Sequence, residues 1–160
     1  QARALSELKT KLEREGKTGK PDFMMQIFIR CTLDALWRAL TQADEMARYH
    51  FAGNVVQGNA AVGAATAFIQ PNGDAMLRQV TTELDPKSRI AMTFEPLFMG
   101  PAAPPSHMVY LIDEQGETCK LTIQHYDMAL GQDGFAEGWA RLAVSLKTYL
   151  ETGNALKAAM

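Results

Sequence analysis

From Val55 to Asp127 the chain alternates short apolar runs with turn signals, and it then closes on a single long amphipathic segment. That order constrains the fold more than any other feature. Val55–Gln57 ends at Gly58–Asn59, Ala64–Gln70 at Pro71–Asn72–Gly73–Asp74, and Met76–Leu84 at Asp85–Pro86. Gly, Pro, Asn and Asp are the residues turns demand, each for its own backbone reason. Arg89–Glu95 leads into a loop holding Pro96, Pro101, Pro104 and Pro105. His107–Ile112 and Thr118–Tyr126 flank Asp113–Glu114–Gln115–Gly116, which reads as a hairpin. Strands joined by such short turns predict an antiparallel meander. After it, Phe135, Trp139, Leu142, Leu146 and Leu150 step by three or four, with Ala136, Ala140, Ala143 and Val144 among them. This predicts a helix from Phe135 to Glu151, stopped by Gly153. Glu137 in its first turn and Lys147 in its last suit the helix dipole.

Before the meander, Asp22–Thr32 reads as a strand. Phe23, Met25, Ile27 and Ile29 share one face, while Met24 and Phe28 share the other, which admits cover on both sides. Leu33–Leu40 reads as a helix with Thr32 as N-cap. Thr41 is placed to cap a second short helix, which ends around Tyr49–His50–Phe51. The predicted class is therefore α+β: about seven antiparallel strands, two short helices between the first and second, and one long C-terminal helix. Only that terminal helix is long enough to cover the apolar face of the sheet. A twisted sheet wrapped on one helix leaves a gap, and a gap is where a ligand is sought.

A length of 160 residues suffices for one domain with a sizeable core. Hydrophobic residues at 47% and charged residues at 21% exclude a disordered chain. Sixteen basic against eighteen acidic residues give a net charge of −2, which offers no footprint for nucleic acid. No apolar run reaches the ~18 residues of a membrane span. No signal-peptide pattern opens the sequence, and the two cysteines without disulfide or metal spacing make a reducing cytoplasm the expected location. Residues 1–20 hold six basic and three acidic side chains and differ chemically from the remainder. Leu5, Leu8 and Leu12 make residues 2–15 a short amphipathic helix, either docked on the domain edge or belonging to an upstream domain or dimer contact. The expected boundaries are 1–20 for this helix and linker, 21–153 for the domain and 154–160 for a tail. Cys31 and Cys119 lie far apart without metal spacing, so buried, inert thiols in a reducing compartment are expected.

Several segments together resemble the SRPBCC (START-like) superfamily, within it the bacterial proteins of the Activator of Hsp90 ATPase homologue family. They are Phe23–Arg30 with Leu33–Thr41, Leu84–Ile90 with its strand to Phe94, Glu117–His125, Glu137–Trp139 and Leu146–Gly153. The resemblance runs from Asp22 to Gly153 and implies the helix-grip fold shared with birch-pollen-type allergens. Tyr49–His50–Phe51 stands where relatives commonly carry a Trp-Phe or Trp-Trp pair, and Ala64 follows Gly63 where they often have Gly-Gly. Both departures touch the expected cavity mouth. On this fold the first and last strands pair antiparallel. Ile27 opposite Ile123 would then bring Cys31 near Cys119, with Leu121 and His125 facing inward beside them.

Catalytic signatures such as GxSxG, HExxH, the P-loop and GxGxxG are absent from the sequence. His50, His107 and His125 show no metal spacing, so neither metal nor cofactor is expected. The cavity candidates are Tyr49 and Phe51 after the second helix, and Phe68, Met92, Phe94, Met108, Tyr110, Ile123 and His125 on the strands. Trp139, Ala143 and Leu146 join them from the long helix. A methionine and aromatic lining suits an irregular apolar guest, and equally fills a core. His125, if inward, needs a partner: a protein group such as Tyr110, or a ligand oxygen. Arg78 alternates with Val80, Thr82 and Leu84 and either points inward or sits in water at the sheet edge. Pro96–Pro105 reads as a flap or as a rigid loop. Three functions follow: a non-catalytic module for a small apolar or aromatic molecule, a protein-interaction domain (co-chaperone-like or regulator-fused, or a homodimer), or a cyclase- or hydrolase-type enzyme using the cavity.

Overall fold

The computed structural model describes residues 20–51, 55–97, 106–128 and 135–154. The expected N-terminal helix, the Pro101–Pro105 part of the proline loop and most of the C-terminal tail lie outside these residues. The elements run β1 (Phe23–Ile29), α1 (Leu33–Thr41), α2 (Ala43–Tyr49), β2 (Val55–Gln57), β3 (Ala65–Ile69), β4 (Ala75–Asp85), β5 (Arg89–Pro96), β6 (Ser106–Gln115), β7 (Thr118–Tyr126) and α3 (Phe135–Thr152). The strands form one seven-stranded sheet in the order β1-β7-β6-β5-β4-β3-β2. Every neighbouring pair is antiparallel. This is the helix-grip arrangement that the family resemblance implies.

Period-two alternation decides which residues of β1 enter the core. Phe23, Met25 and Ile27 pack against the core and Ile29 is wholly buried, whereas Met24 and Phe28 remain about half exposed at 53% and 50%. The outer side of β1 is thus open rather than covered. Its register against β7 sets Ile27 opposite Leu121, Met25 opposite Ile123 and Ile29 opposite Cys119. The pairing is shifted by two residues from Ile27–Ile123, which preserves every inward face. The cysteines still meet: the Cys119 thiol lies 3.7 Å from the Cys31 carbonyl oxygen. Cys119 is buried as expected, but Cys31 is only half-buried; its partial burial, with Cys119 beside it, pushes its thiol up to about 12.

Two short helices close the gap between β1 and β2. Thr32 caps α1, its Oγ1 accepting from the Ala35 N–H at 3.1 Å. Thr41 does not cap α2; it is the last residue of α1, and its hydroxyl donates to the Trp37 carbonyl. The first turn of α2 is capped from a distance instead, by the Asn59 side chain accepting from the Ala43 N–H at 2.8 Å. Residues far apart in sequence can thus satisfy a helix end that has no local cap.

Helix α3 buries Trp139, Leu142, Ala143, Ser145 and Leu146. Fully burying a large apolar side chain of this kind stabilises by roughly 1.5–3 kcal/mol. Its C-terminal half is strapped down. The Ser145 hydroxyl donates to the Tyr49 carbonyl at 2.9 Å, and the Tyr149 hydroxyl to Glu45 at 2.8 Å. Glu151 accepts from the Arg30 N–H at 2.8 Å. Lys147 serves this strap rather than the last turn, donating to the Phe28 carbonyl and to Glu151. Gly153 ends the helix with φ +81 and its N–H on the Tyr149 carbonyl.

Candidate functional site

The concave face of the sheet is built by alternation on β3 to β7. On β6, Ser106, Met108, Tyr110 and Ile112 point inward and are buried. Phe94, Met92 and Ile90 answer them from β5, with Cys119, Leu121, Ile123 and His125 from β7. Trp139, at the first turns of α3, reaches down onto this surface. The aromatic rings interlock: Phe94 lies 4.8 Å from His125, 5.1 Å from Phe135 and 5.8 Å from Trp139, while Tyr110 meets Trp139 edge-on at 6.2 Å. A second group forms under α2, where His50 lies 4.2 Å from Phe68 and Tyr49 stacks on Tyr149 at 6.1 Å. The candidates therefore divide between two aromatic groups. Ala143 and Leu146 are buried further along α3, and Phe51 is half-buried beside the core.

His125 is wholly buried, and its partners are Trp139 and Ser106 rather than Tyr110. The Trp139 indole N–H donates to Nδ1 at 2.9 Å. An indole nitrogen can only donate, so Nδ1 must be the lone-pair nitrogen and the ring proton sits on Nε2. Nε2–H then donates to Ser106 Oγ at 2.6 Å, and the serine hydroxyl passes its own hydrogen to the Phe94 carbonyl at 3.4 Å. Every group in the chain is satisfied in one direction. Burial pushes His125 down to about 4, so the ring is neutral near pH 7.

That direction matters chemically. A serine beside a histidine suggests a nucleophile and its base, but a base needs an unprotonated Nε2 facing the hydroxyl. Here the indole fixes the opposite tautomer. Ser106 is itself wholly buried. The Ser106–His125 pair is a structural relay, not an activated nucleophile.

A polar row crosses the same face. Gln79 lies opposite Thr66 of β3. By the register pairing Arg78 with Glu95 and Thr81 with Met92, it also lies opposite Phe94, which in turn faces Ser106. Thr66, Gln79, Thr81 and Ser106 are all buried, at 4% exposure or less. Thr66 is satisfied by the Gly58 carbonyl at 3.0 Å. The Gln79 Nε2 is buried and meets no hydrogen-bond partner. Arg78, on the opposite face, is exposed and pairs with Glu95 at 2.9 Å. Among the described residues no cluster of His, Cys, Asp or Glu could hold a metal ion.

At the far end of β7 an open cleft of about 380 Å³ is lined by Arg30, Cys31, Thr32, Glu114, Gly116 and Glu117. It is charged and solvent-facing, unlike the concave face.

The family described as Activator of Hsp90 ATPase homolog 1-like protein matches residues 30–151. The chain belongs to that family. Solved structures agree on its fold. The Aha1 dimer from Colwellia psychrerythraea is 19% identical with a TM-score of 0.68, over 82% of this chain and 96% of that one. A Staphylococcus saprophyticus protein is 17% identical with a TM-score of 0.67, over 82% and 92%. DynU16, a protein of the dynemicin biosynthetic locus, is 20% identical with a TM-score of 0.68, over 84% of this chain and 49% of its own. No curated protein matches by sequence. Within this family member, Gln79, Thr66, Thr81 and Ser106 are the inward residues that sequence reasoning passed over. Inward polar residues on a strand carry the same signal as outward ones, so alternation alone could not select them.

Proposed function

We propose that this domain binds a small, apolar or aromatic molecule between its concave sheet and α3, without transforming it. The observation that carries the reading is the buried polar row Thr66–Gln79–Thr81–Ser106. Thr66 and Ser106 of this row are satisfied by protein groups, but the Gln79 amide donor is not, and a buried donor left unpaired costs stability that a guest on this face could recover. Methionines and aromatic rings beside them suit a guest of irregular shape. Family membership accords with a ligand-binding or interaction domain in general. Nile red, a neutral solvatochromic dye, should bind one molecule per chain with blue-shifted emission. Ala143→Met, which lengthens a buried side chain of α3 toward the sheet, should weaken it tenfold or more while the variant still melts cooperatively. Equal binding by the variant, or none by the wild type, overturns the reading.

A second reading rests on Met24 and Phe28, half exposed on the sheet's edge strand β1. An open apolar edge favours a protein partner, and a second copy of the chain is the one the Colwellia dimer suggests. Light scattering should then give twice the chain mass, and Phe28→Asp should return it to a monomer.

A further inference from the structure

Resting on the binding reading above, we infer that Gln79 is the polar anchor of the site, and that its ligand is an uncharged, flat, largely apolar molecule carrying one acceptor oxygen of carbonyl or phenolic type.

The anchor follows from hydrogen-bond accounting. His125, Ser106 and Thr66 are satisfied by named protein partners. Gln79 Nε2 is the one side-chain nitrogen or oxygen that is buried and unpartnered among the described residues. A buried amide donor without an acceptor has given up its hydration and gained no bond in exchange. An acceptor brought in by a guest would recover that cost, so the guest must present an oxygen with a lone pair at this position. A donor-only group would meet N–H with N–H.

The guest's charge follows from the surroundings. Among the described residues the buried polar ones are Thr41, His50, Thr66, Gln79, Thr81, Ser106, Thr122, His125 and Ser145, with no Asp, Glu, Lys or Arg among them. A carboxylate or ammonium would lose its hydration with no counter-charge to replace it. Shape follows from the wall. Phe94 lies beside Gln79 in register and belongs to the ring group with Phe135 and Trp139. Rings pack on rings best in offset-stacked or edge-on contact, which a planar guest provides.

The test uses a matched pair, 9-fluorenone and fluorene, which share a planar tricycle and differ in one carbonyl. Both are titrated as competitors of Nile red on wild type, Gln79→Leu and Gln79→Met. Wild type should prefer fluorenone about tenfold, the worth of one buried hydrogen bond. Both variants should bind fluorene as well as wild type does and lose the preference. They should also melt no lower than wild type, because each removes an unsatisfied donor. Equal affinity of wild type for the two competitors overturns the anchor and leaves the binding reading standing. A preference that survives in both variants overturns Gln79 as its source. If neither competitor nor dye binds wild type, the anchor and the binding reading fall together.

Discussion

The residue that most repays attention is His125, because its hydrogen-bond direction sets both its chemistry and its pH response. Its ordinary value is about 6.5; burial holds it near 4 in the folded protein. Desolvation comes first among the causes, with the Asp22 carboxylate pulling weakly the other way. The unfolded chain therefore binds the proton before the folded one does. Stability from this group is fully present above pH 6.5 and drains away as the pH falls toward 4, by about 3 kcal/mol at pH 4. Urea melts at pH 7, 5 and 4 should show that loss in wild type, and His125→Gln, which does not titrate, should show it reduced by about that amount. Parallel curves would mean that His125 is not the acid-sensitive group. Trp139→Phe tests the indole's share. Removing the N–H that occupies Nδ1 should raise the histidine toward 6.5 in an NMR titration and cost about 1–3 kcal/mol of stability. An unchanged histidine would assign the whole effect to burial.

At the scale of elements, turns and faces were legible in the sequence to different degrees. Gly58 and Gly73 both mark turns, and both have positive φ, +94 and +91. Their neighbourhoods differ in a way the sequence does not record. A Cβ on Gly58 would stand 2.3 Å from the Ala65 carbonyl oxygen, whereas one on Gly73 meets nothing within 4 Å. Gly73→Ala should therefore cost only the left-handed backbone penalty, about 1–2 kcal/mol. Gly58→Ala adds a backbone clash that forces β2 from β3, so it should cost clearly more in the same melt; equal penalties would place the close approach elsewhere. The strands themselves could be read because Val55–Gln57 is bounded by turn residues and Thr118–Tyr126 also carries a clean apolar periodicity. On β4 the pattern is ambiguous. Leu77, Gln79 and Thr81 face inward, yet Arg78, Val80 and Thr82 mix apolar and polar in the same way, and a register shift between Thr81 and Glu83 breaks the count. The candidate site was thus visible where it is apolar, at Phe94, Met108 and Trp139, and at His125, and hidden at the polar row Thr66, Gln79, Thr81 and Ser106. Asn59 capping α2 from sixteen residues away was hidden for a related reason: local patterns report local caps only.

Among the described residues, a clasp ties the last helix to the first strand and to α2. β1 opens the domain and α3 closes it, and Arg30, Phe28 and Glu45 receive the straps from Glu151, Lys147 and Tyr149. The buried core cluster and the hydrophobic residues packed on it run from Phe23 to Leu150. We therefore propose that residues 21–153 fold alone, and the argument can be tested through the clasp itself. Leu146 is 2% exposed and sits where α3 meets the sheet. Leu146→Ala should remove contacts and leave a void, at a cost of about 2–5 kcal/mol. If residues 1–20 lie outside the core, that penalty should be the same in the full chain and in the 21–153 fragment, because distant independent sites add. A smaller penalty in the fragment, or a fragment that unfolds without cooperativity, would show that the basic N-terminal segment shares the core the helix closes.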